Sequence, residues 1–158
     1  MSMTLQALYM DGSYITSKDG FHAVNDSNAR KPFMVSAQAS LDNLNAWLTH
    51  TGKTTTALDQ FCAMQKIVVA GVEKPHSEDR WKRIKIGSVT FMSTELYGAP
   101  EGHPLAAVAQ HRTGLHLRGF NLSIFADKEQ IFFFGRIFTP TSKGVMRICD
   151  EVVVEDVV

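Results

Sequence analysis

A short run in the middle of the chain combines positive charge with an aromatic ring. Its members are Arg80, Trp81, Lys82, Arg83 and Lys85. Arginine and lysine neutralise phosphates and an exposed indole stacks on a base, so the run predicts a site for an anion or a nucleic acid. The alternative is a solvated hairpin tip that Trp81 anchors in the core, because Glu78 and Asp79 directly precede the run and reduce its local charge.

A second basic group comprises Arg112, His116 and Arg118. If Leu115 and Leu117 face a core, His116 and Arg118 share the outer face of one strand. The two basic groups then form one positive strip, provided that their strands are neighbours in the sheet. The alternative is the ordinary solvated face of a sheet.

Metal-binding and catalytic patterns are absent from the sequence. The six histidines are scattered and no carboxylate or cysteine completes a tetrahedral set, so we predict no metal and no cofactor. Cys62 and Cys149 lie among apolar neighbours and are predicted to be buried and reduced. No nucleophile motif occurs, so no catalytic residue is assigned. The remaining enzymatic alternative is a pocket in a curved sheet that uses His103, His111 or His116.

The segment 130–138 is apolar on both faces, whereas an antiparallel strand with one wet face alternates between apolar and polar residues. Either helices of the same chain or a second subunit must therefore cover its second face. A further apolar segment at 152–154 favours the second subunit. The predicted interface residues are Phe132, Phe134, Phe138, Val152 and Val154.

The elements that position these groups begin with a predicted β-meander. Asp-Gly pairs at 11–12 and 19–20 separate strand-like segments at 5–10, 13–16 and 21–24.

A further strand is predicted at 33–39. Ser40 is a suitable N-cap for a helix that ends at Gly52, and the spacing of apolar residues predicts a second helix that reaches Gln65. A third short helix is predicted at 105–111.

From residue 67 onward the pattern indicates strands, at 67–72, 84–92, 115–124, 130–138 and 145–154. The apolar phase shifts by one residue at Gly87 and at Gly119, which predicts β-bulges and strongly coiled strands. The expected fold is therefore a single α+β domain over residues 1–158. It is a curved, mainly antiparallel sheet, forming a partial or closed β-barrel, with two or three short helices.

Charge and composition narrow the function. The chain has 16 Lys and Arg against 16 Asp and Glu, and this zero net charge argues against a dedicated DNA-coating protein and removes repulsion between copies. No apolar run has the length of a membrane span and no signal peptide is recognisable, so we expect no membrane association and a cytoplasmic location. The leading hypothesis is a non-enzymatic binding or assembly protein that acts as a homo-oligomer or binds another protein. A nucleic-acid-binding protein and a small enzyme are the alternatives.

Overall fold

The computed structural model describes residues 2–50, 64–99 and 132–158, and its side chains over 2–45, 64–96 and 134–158. The strands are β1 (Met3–Met10), β2 (Ser13–Ile15), β3 (Phe21–Val24), β4 (Phe33–Ala37), β5 (Gln65–Ala70), β6 (Trp81–Ile86), β7 (Val89–Ala99), β8 (Phe132–Pro140), β9 (Gly144–Arg147) and β10 (Glu151–Val157). One α-helix, α1 (Gln38–His50), and one 3-10 turn (Ser77–Arg80) complete the described elements.

Seven of the strands close into a barrel. The order in the sheet is β10-β6-β7-β8-β4-β5-β1, and β1 also pairs with β10 through Met3 opposite Val152 and Thr4 opposite Glu151. Among the described strands the pairs are antiparallel, except that β4 and β5 run parallel with α1 between them along the chain. The prediction of a curved, mainly antiparallel sheet is confirmed, and the sheet is closed.

The helix content is lower than predicted over the part of the chain that the structure describes. One α-helix and one 3-10 turn occur there, against an expected two or three helices. Gln65 begins strand β5 and does not lie on a helix. The rest of the predicted second helix, and the third at 105–111, fall outside the described residues.

The first hairpin forms as the Asp-Gly pair predicts. Asp11 and Gly12 have φ values of 52° and 85°, and Met10 lies opposite Ser13. Positive φ at both central residues is the geometry that two-residue hairpins favour. The predicted meander ends there, because β3 pairs with β9 in a separate two-stranded sheet and not with β2.

Gly87 lies in a hairpin turn, so the predicted bulge at this position is wrong. Gly87 and Ser88 connect β6 to β7, Ile86 pairs with Val89, and Gly87 has a φ of 58°. A two-residue turn and a one-residue bulge both displace the apolar pattern by one position, which explains the error. The second predicted bulge, at Gly119, lies outside the described residues.

The predicted strand at 145–154 is interrupted. Strands β9 and β10 are separated by a turn at which Cys149 has a φ of 77°. Cys149 is exposed at this turn, contrary to the predicted burial, because the positive φ turns the backbone out of the strand direction. Cys62 lies outside the described residues.

The interior of the barrel is filled by apolar side chains. Leu5, Leu8, Phe33, Phe91 and Phe138 are each at most 1% exposed. Phe33 lies opposite Phe138 on neighbouring strands, and its ring meets that of Phe91 edge-on at 5.9 Å between centroids. Such packing leaves side chains, and not a cavity, in the centre of a small barrel.

Burial also bears on the predicted oligomer interface. Phe138 and Val152 belong to the barrel core, and Val154 is half-buried against it. Phe134 is 1% exposed, with its ring centroid 6.1 Å from that of His76. The chain itself therefore covers Phe134, Phe138 and Val152, while the side chain of Phe132 lies outside the described set.

None of the helices within the described ranges has the length and apolar character needed to cross a membrane.

Candidate ligand-binding site at the end of the barrel

One end of the barrel is covered by the 3-10 turn. The last residue of β4 and the first residue of β6 lie at this end, since β4 is parallel to β5 and the intervening strands alternate in direction. Six polar residues meet here and are called the barrel-end cluster. They are Ser40, Asn43, His76, Glu78, Asp79 and Arg136.

Glu78 joins the turn to the start of helix α1. Its carboxylate accepts hydrogen bonds from the backbone N–H of Ala37 at 2.7 Å and from the Ser40 hydroxyl at 2.9 Å, and it is fully buried. Burial raises the pKa of Glu78, and the two hydrogen bonds oppose this shift. Glu78 therefore acts as a buried clamp between two segments that are distant in sequence.

Ser40 performs a different role from the predicted N-cap. Helix α1 begins at Gln38, so Ser40 lies in its first turn. The Ser40 hydroxyl donates to Glu78 and accepts the backbone N–H of His76 at 2.7 Å. The hydroxyl thus forms hydrogen bonds with the segment that crosses the barrel end, and it does not cap the N–H groups of its own helix.

His76 occupies the left-handed region, with a φ of 67°, immediately before the 3-10 turn. Its ring Nε2 is 3.0 Å from the side-chain nitrogen of Asn43, and the residue is 4% exposed. Burial lowers the pKa of His76 to about 4, so the imidazole is neutral at neutral pH. The neutral ring can then accept the Asn43 amide proton at Nε2.

Asp79 and Arg136 form the charged part of the cluster. Nη1 of Arg136 donates to the backbone carbonyl of Asp79 at 2.9 Å. Burial, and then the neighbouring Glu78, raise the pKa of the Asp79 carboxyl to about 8, against the opposing effect of Arg136. Burial also lowers the pKa of Arg136, and Asp79 opposes that shift.

Arg136 is 8% exposed, and its buried Nε has no hydrogen-bond partner among the described residues. No ion pair joins it to a described carboxylate. A buried guanidinium normally has its donors matched by carboxylate or carbonyl oxygens. Within the described part of the chain, the Nε of Arg136 therefore has no acceptor, and it could donate to an anionic oxygen.

A shallow groove of about 390 Å³ opens at the same end of the barrel. Its wall includes Lys74, Ser77 and Trp81, together with Met3 of β1. Ser77 belongs to the 3-10 turn, so the groove lies beside the turn that carries Glu78 and Asp79.

The predicted basic run lies mainly on strand β6. Trp81 is 5% exposed and belongs to the core, so its indole is not free to stack on a base. Lys82 and Lys85 are exposed, and Arg83 forms an ion pair with Asp156 of β10 at 3.4 Å. Arg80 closes the 3-10 turn and its Nη2 lies 3.5 Å from the carbonyl of Val158.

The second basic group, Arg112, His116 and Arg118, lies outside the described residues, as do His103 and His111. Over the ranges that the structure does describe, no group of histidine, cysteine and carboxylate side chains has the arrangement of a metal site.

Sequence reasoning overlooked the barrel-end cluster. Glu78 and Asp79 were considered only as charges that offset the basic run, although they precede a strand whose first residue, Trp81, is buried. Arg136 interrupts an apolar strand, and a lone cation in such a segment is a signal of a buried polar contact. Its partners come from a turn far away in sequence, which no local pattern reveals.

No protein-family model matches the chain, and no curated protein matches it. In fold it is similar to a crystal structure described as that of a hypothetical protein, with a TM-score of 0.57 at 8% identity, covering 99% of this chain and 67% of that one. This likeness shows a shared fold. YiiM from Geobacillus stearothermophilus gives a TM-score of 0.48 at 12% identity, over 98% of this chain and 73% of its own, which is too low to support a statement about function.

Proposed function

We propose that this chain is a non-enzymatic binding protein that takes a small ligand with an anionic oxygen, a carboxylate or a phosphate, at the barrel end. The observation that carries the proposal is the buried Nε of Arg136, which lacks a hydrogen-bond partner among the described residues. The planar guanidinium fork matches the geometry of carboxylates and phosphates better than any other side chain.

Electrostatics favour an anion over a cation at this position. A buried cation without a paired anion is costly, and most proteins compensate it. The raised pKa of about 8 leaves the Asp79 carboxyl mostly protonated at neutral pH, so it does not compensate Arg136 there. A bound anion would supply the missing charge, and the protonated Asp79 could donate a hydrogen bond to it.

Contrast with Lys66 supports this reading. Lys66 is fully buried too, but its Nζ lies 3.8 Å from the ring centroid of Tyr9, so an aromatic face meets its charge. Among the described residues, the acceptor for Arg136 is the backbone carbonyl of Asp79. An aromatic ring thus contacts the buried ammonium group of Lys66, whereas the Nε of Arg136 has no acceptor among the described residues.

The filled interior limits where a ligand can lie. Because aromatic and aliphatic side chains occupy the centre of the barrel, a pocket within the curved sheet is not favoured. Among the described residues, a groove lies beside the 3-10 turn at this end of the barrel, although Arg136 and Asp79 are not part of its wall.

Titration calorimetry with sodium phosphate and with sodium acetate tests the proposal. We expect at least one of the two anions to bind the native chain and to raise its melting temperature. Arg136→Met should weaken that binding at least about tenfold while leaving the free energy of unfolding unchanged or higher, because the variant no longer buries a cation.

Arg136→Lys is the sharper variant, since it keeps the charge but lacks the fork and should also weaken binding. Arg147→Met is the matched control, because Arg147 is exposed and lies over the ring of Phe21. The proposal fails if neither anion binds the native chain, or if Arg136→Met binds as well as the control.

Nucleic-acid binding stays a prediction with a narrower basis. Lys82 and Lys85 are exposed on one strand, which favours it, while the burial of Trp81 removes the stacking platform. Titration with a DNA duplex at several salt concentrations tests this prediction. An absence of affinity at low salt would reject nucleic-acid binding.

A further inference from the structure

We infer that the barrel end takes up its anion together with one proton, which Asp79 holds, and that the site therefore selects a carboxylate over a phosphate. The inference rests on the proposed function, because it concerns the same barrel-end cluster. It adds the protonation state in which the cluster binds and the class of anion that it prefers.

Asp79 and Arg136 are neighbours that do not form an ion pair. Nη1 of Arg136 donates to the backbone carbonyl of Asp79 at 2.9 Å, and not to its carboxyl group. The two side chains are nevertheless close enough for each to shift the pKa of the other. An anionic oxygen that accepts from the Nε of Arg136, which has no acceptor among the described residues, would therefore lie beside the Asp79 carboxyl.

The surroundings of Asp79 favour its protonated form. Glu78 precedes it in the 3-10 turn, is fully buried, and accepts two hydrogen bonds that suit a carboxylate. Burial, and then Glu78, raise the pKa of Asp79 to about 8, and Arg136 opposes this rise. Asp79 itself is half-buried, so solvent can supply and remove its proton.

The other elements around the 3-10 turn add little charge. Strand β4 contains no titratable residue, and β8 contributes Arg136. Over the described side chains of α1, the titratable residue is Asp42, which is exposed. His76, before the turn, is neutral at neutral pH, and Arg80, at its end, is exposed. The protonation of Asp79 is therefore set by its burial and by its two charged neighbours.

This balance of charge selects among anions. A carboxylate brings one negative charge and two oxygens, of which one accepts from Arg136 and the other from the protonated Asp79. A phosphate group carries a charge of about −1.5 to −2 at pH 7 and would place it near the buried Glu78. If Asp79 were ionised, even a carboxylate would meet two like charges, so binding requires the proton.

Calorimetric titration with sodium acetate between pH 6 and 9 tests the inference. A simple carboxylate stays ionised throughout this range, so a change in affinity reports on the protein. We expect the affinity to fall about tenfold between pH 7 and pH 9, because the protonated fraction of Asp79 falls. Titrations in two buffers of different ionisation enthalpy should show an uptake of about half a proton per acetate near pH 8.

Asp79→Asn separates the proton from the hydrogen bond. The amide keeps a donor but cannot ionise, so this variant should bind acetate equally well at pH 6 and pH 9 and take up no proton. Asp19→Asn is the matched control, because it removes an exposed carboxylate and should keep the native pH profile.

The preference between anions is measured on the native chain at pH 7, where acetate should bind at least about tenfold more tightly than sodium phosphate. Acetate binding that is independent of pH and takes up no proton overturns the inference, and so does phosphate binding as tight as that of acetate. Either result leaves the proposed anion site standing. If neither anion binds at any pH, the proposed function fails and the inference fails with it. These readouts need no variant, so they decide the inference even if Asp79→Asn does not fold.

Discussion

The inside of the barrel and its covered end are both buried, but they are built from opposite kinds of side chain. The interior contains apolar residues such as Leu8, Phe91 and Phe138. The end contains Glu78 and Arg136, which are at most 8% exposed. Apolar packing needs only volume and shape, whereas each buried polar atom needs a specific partner.

A ligand site is therefore more readily built at the end of the barrel than in its interior. Apolar side chains of the interior such as Phe91 and Phe138 need no hydrogen-bond partner. In the barrel-end cluster, Glu78 has both carboxylate oxygens engaged, whereas the Nε of Arg136 has no acceptor among the described residues. Proteins tolerate such costly groups mainly at sites that serve a ligand.

Removing a ring from the interior should have the largest effect on stability. We expect Phe91→Ala to lower the free energy of unfolding by about 3–5 kcal/mol, because the deleted ring leaves a cavity beside Phe33. Chemical denaturation measures this loss. Val153→Ala, at a 42% exposed position, should stay within about 0.5 kcal/mol of the native chain. Similar losses for both variants would mean that the interior is not the principal source of stability.

Removal of the Glu78 carboxylate at the barrel end should have the second-largest effect on the free energy of unfolding. Glu78→Ala leaves the N–H of Ala37 and the hydroxyl of Ser40 without their acceptor, which should cost about 2–4 kcal/mol for the two groups together. Glu78→Gln keeps an acceptor for Ala37 and a donor for Ser40, and should cost clearly less. Equal losses for the two variants in denaturant titrations would show that charge, and not hydrogen bonding, is what Glu78 contributes.

Gly135 connects the two regions, since it lies between Phe134 and Arg136 with a φ of 74°. A Cβ at this position would collide with the sulfur of Met34 and lie 2.9 Å from the carbonyl of Val35. We expect Gly135→Ala to cost about 1–3 kcal/mol and to weaken anion binding by displacing Arg136. Calorimetric titration together with denaturation tests this expectation. A loss of stability with unchanged anion binding would show that Gly135 does not position Arg136 for the ligand.

The pH dependence of stability should be the most specific effect. The folded chain holds a proton on Asp79 up to a pKa of about 8, whereas the unfolded chain releases it near the ordinary value of 3.8. The free energy of unfolding should therefore fall as the pH rises between these values, and Asp79→Asn should make that fall shallower.

His76 acts in the other direction, because its folded pKa of about 4 lies below the ordinary 6.5, so stability is lost as the pH falls through this interval. Thermal unfolding across pH 4–8 measures both effects, the one from Asp79 as the pH rises and the one from His76 as the pH falls. An Asp79→Asn profile identical to that of the native chain would contradict the assignment.

Local features of the fold were predictable from sequence, and non-local ones were not. The Asp11-Gly12 hairpin follows from residues that are adjacent in the chain, and its geometry is as predicted. The pairing of β3 with β9, and the closure of β1 on β10, join residues more than a hundred positions apart, for which no periodicity gives a signal.

The candidate site shows the same division. The basic run was visible because its four charges lie within six residues, but its tryptophan proved to be a core residue. The buried cluster was invisible because Ser40, Glu78 and Arg136 come from three separated segments. The one sequence signal of this cluster is Arg136, a single cation in an otherwise apolar strand.

Closure of the barrel between β1 and β10 has a consequence for synthesis on the ribosome. Until β10 has emerged, the nascent chain carries β1 and β6 with unpaired edges that β10 will later occupy. The translating chain therefore exposes these two edges until β10 has been made, and during this interval they can pair with strands of other chains.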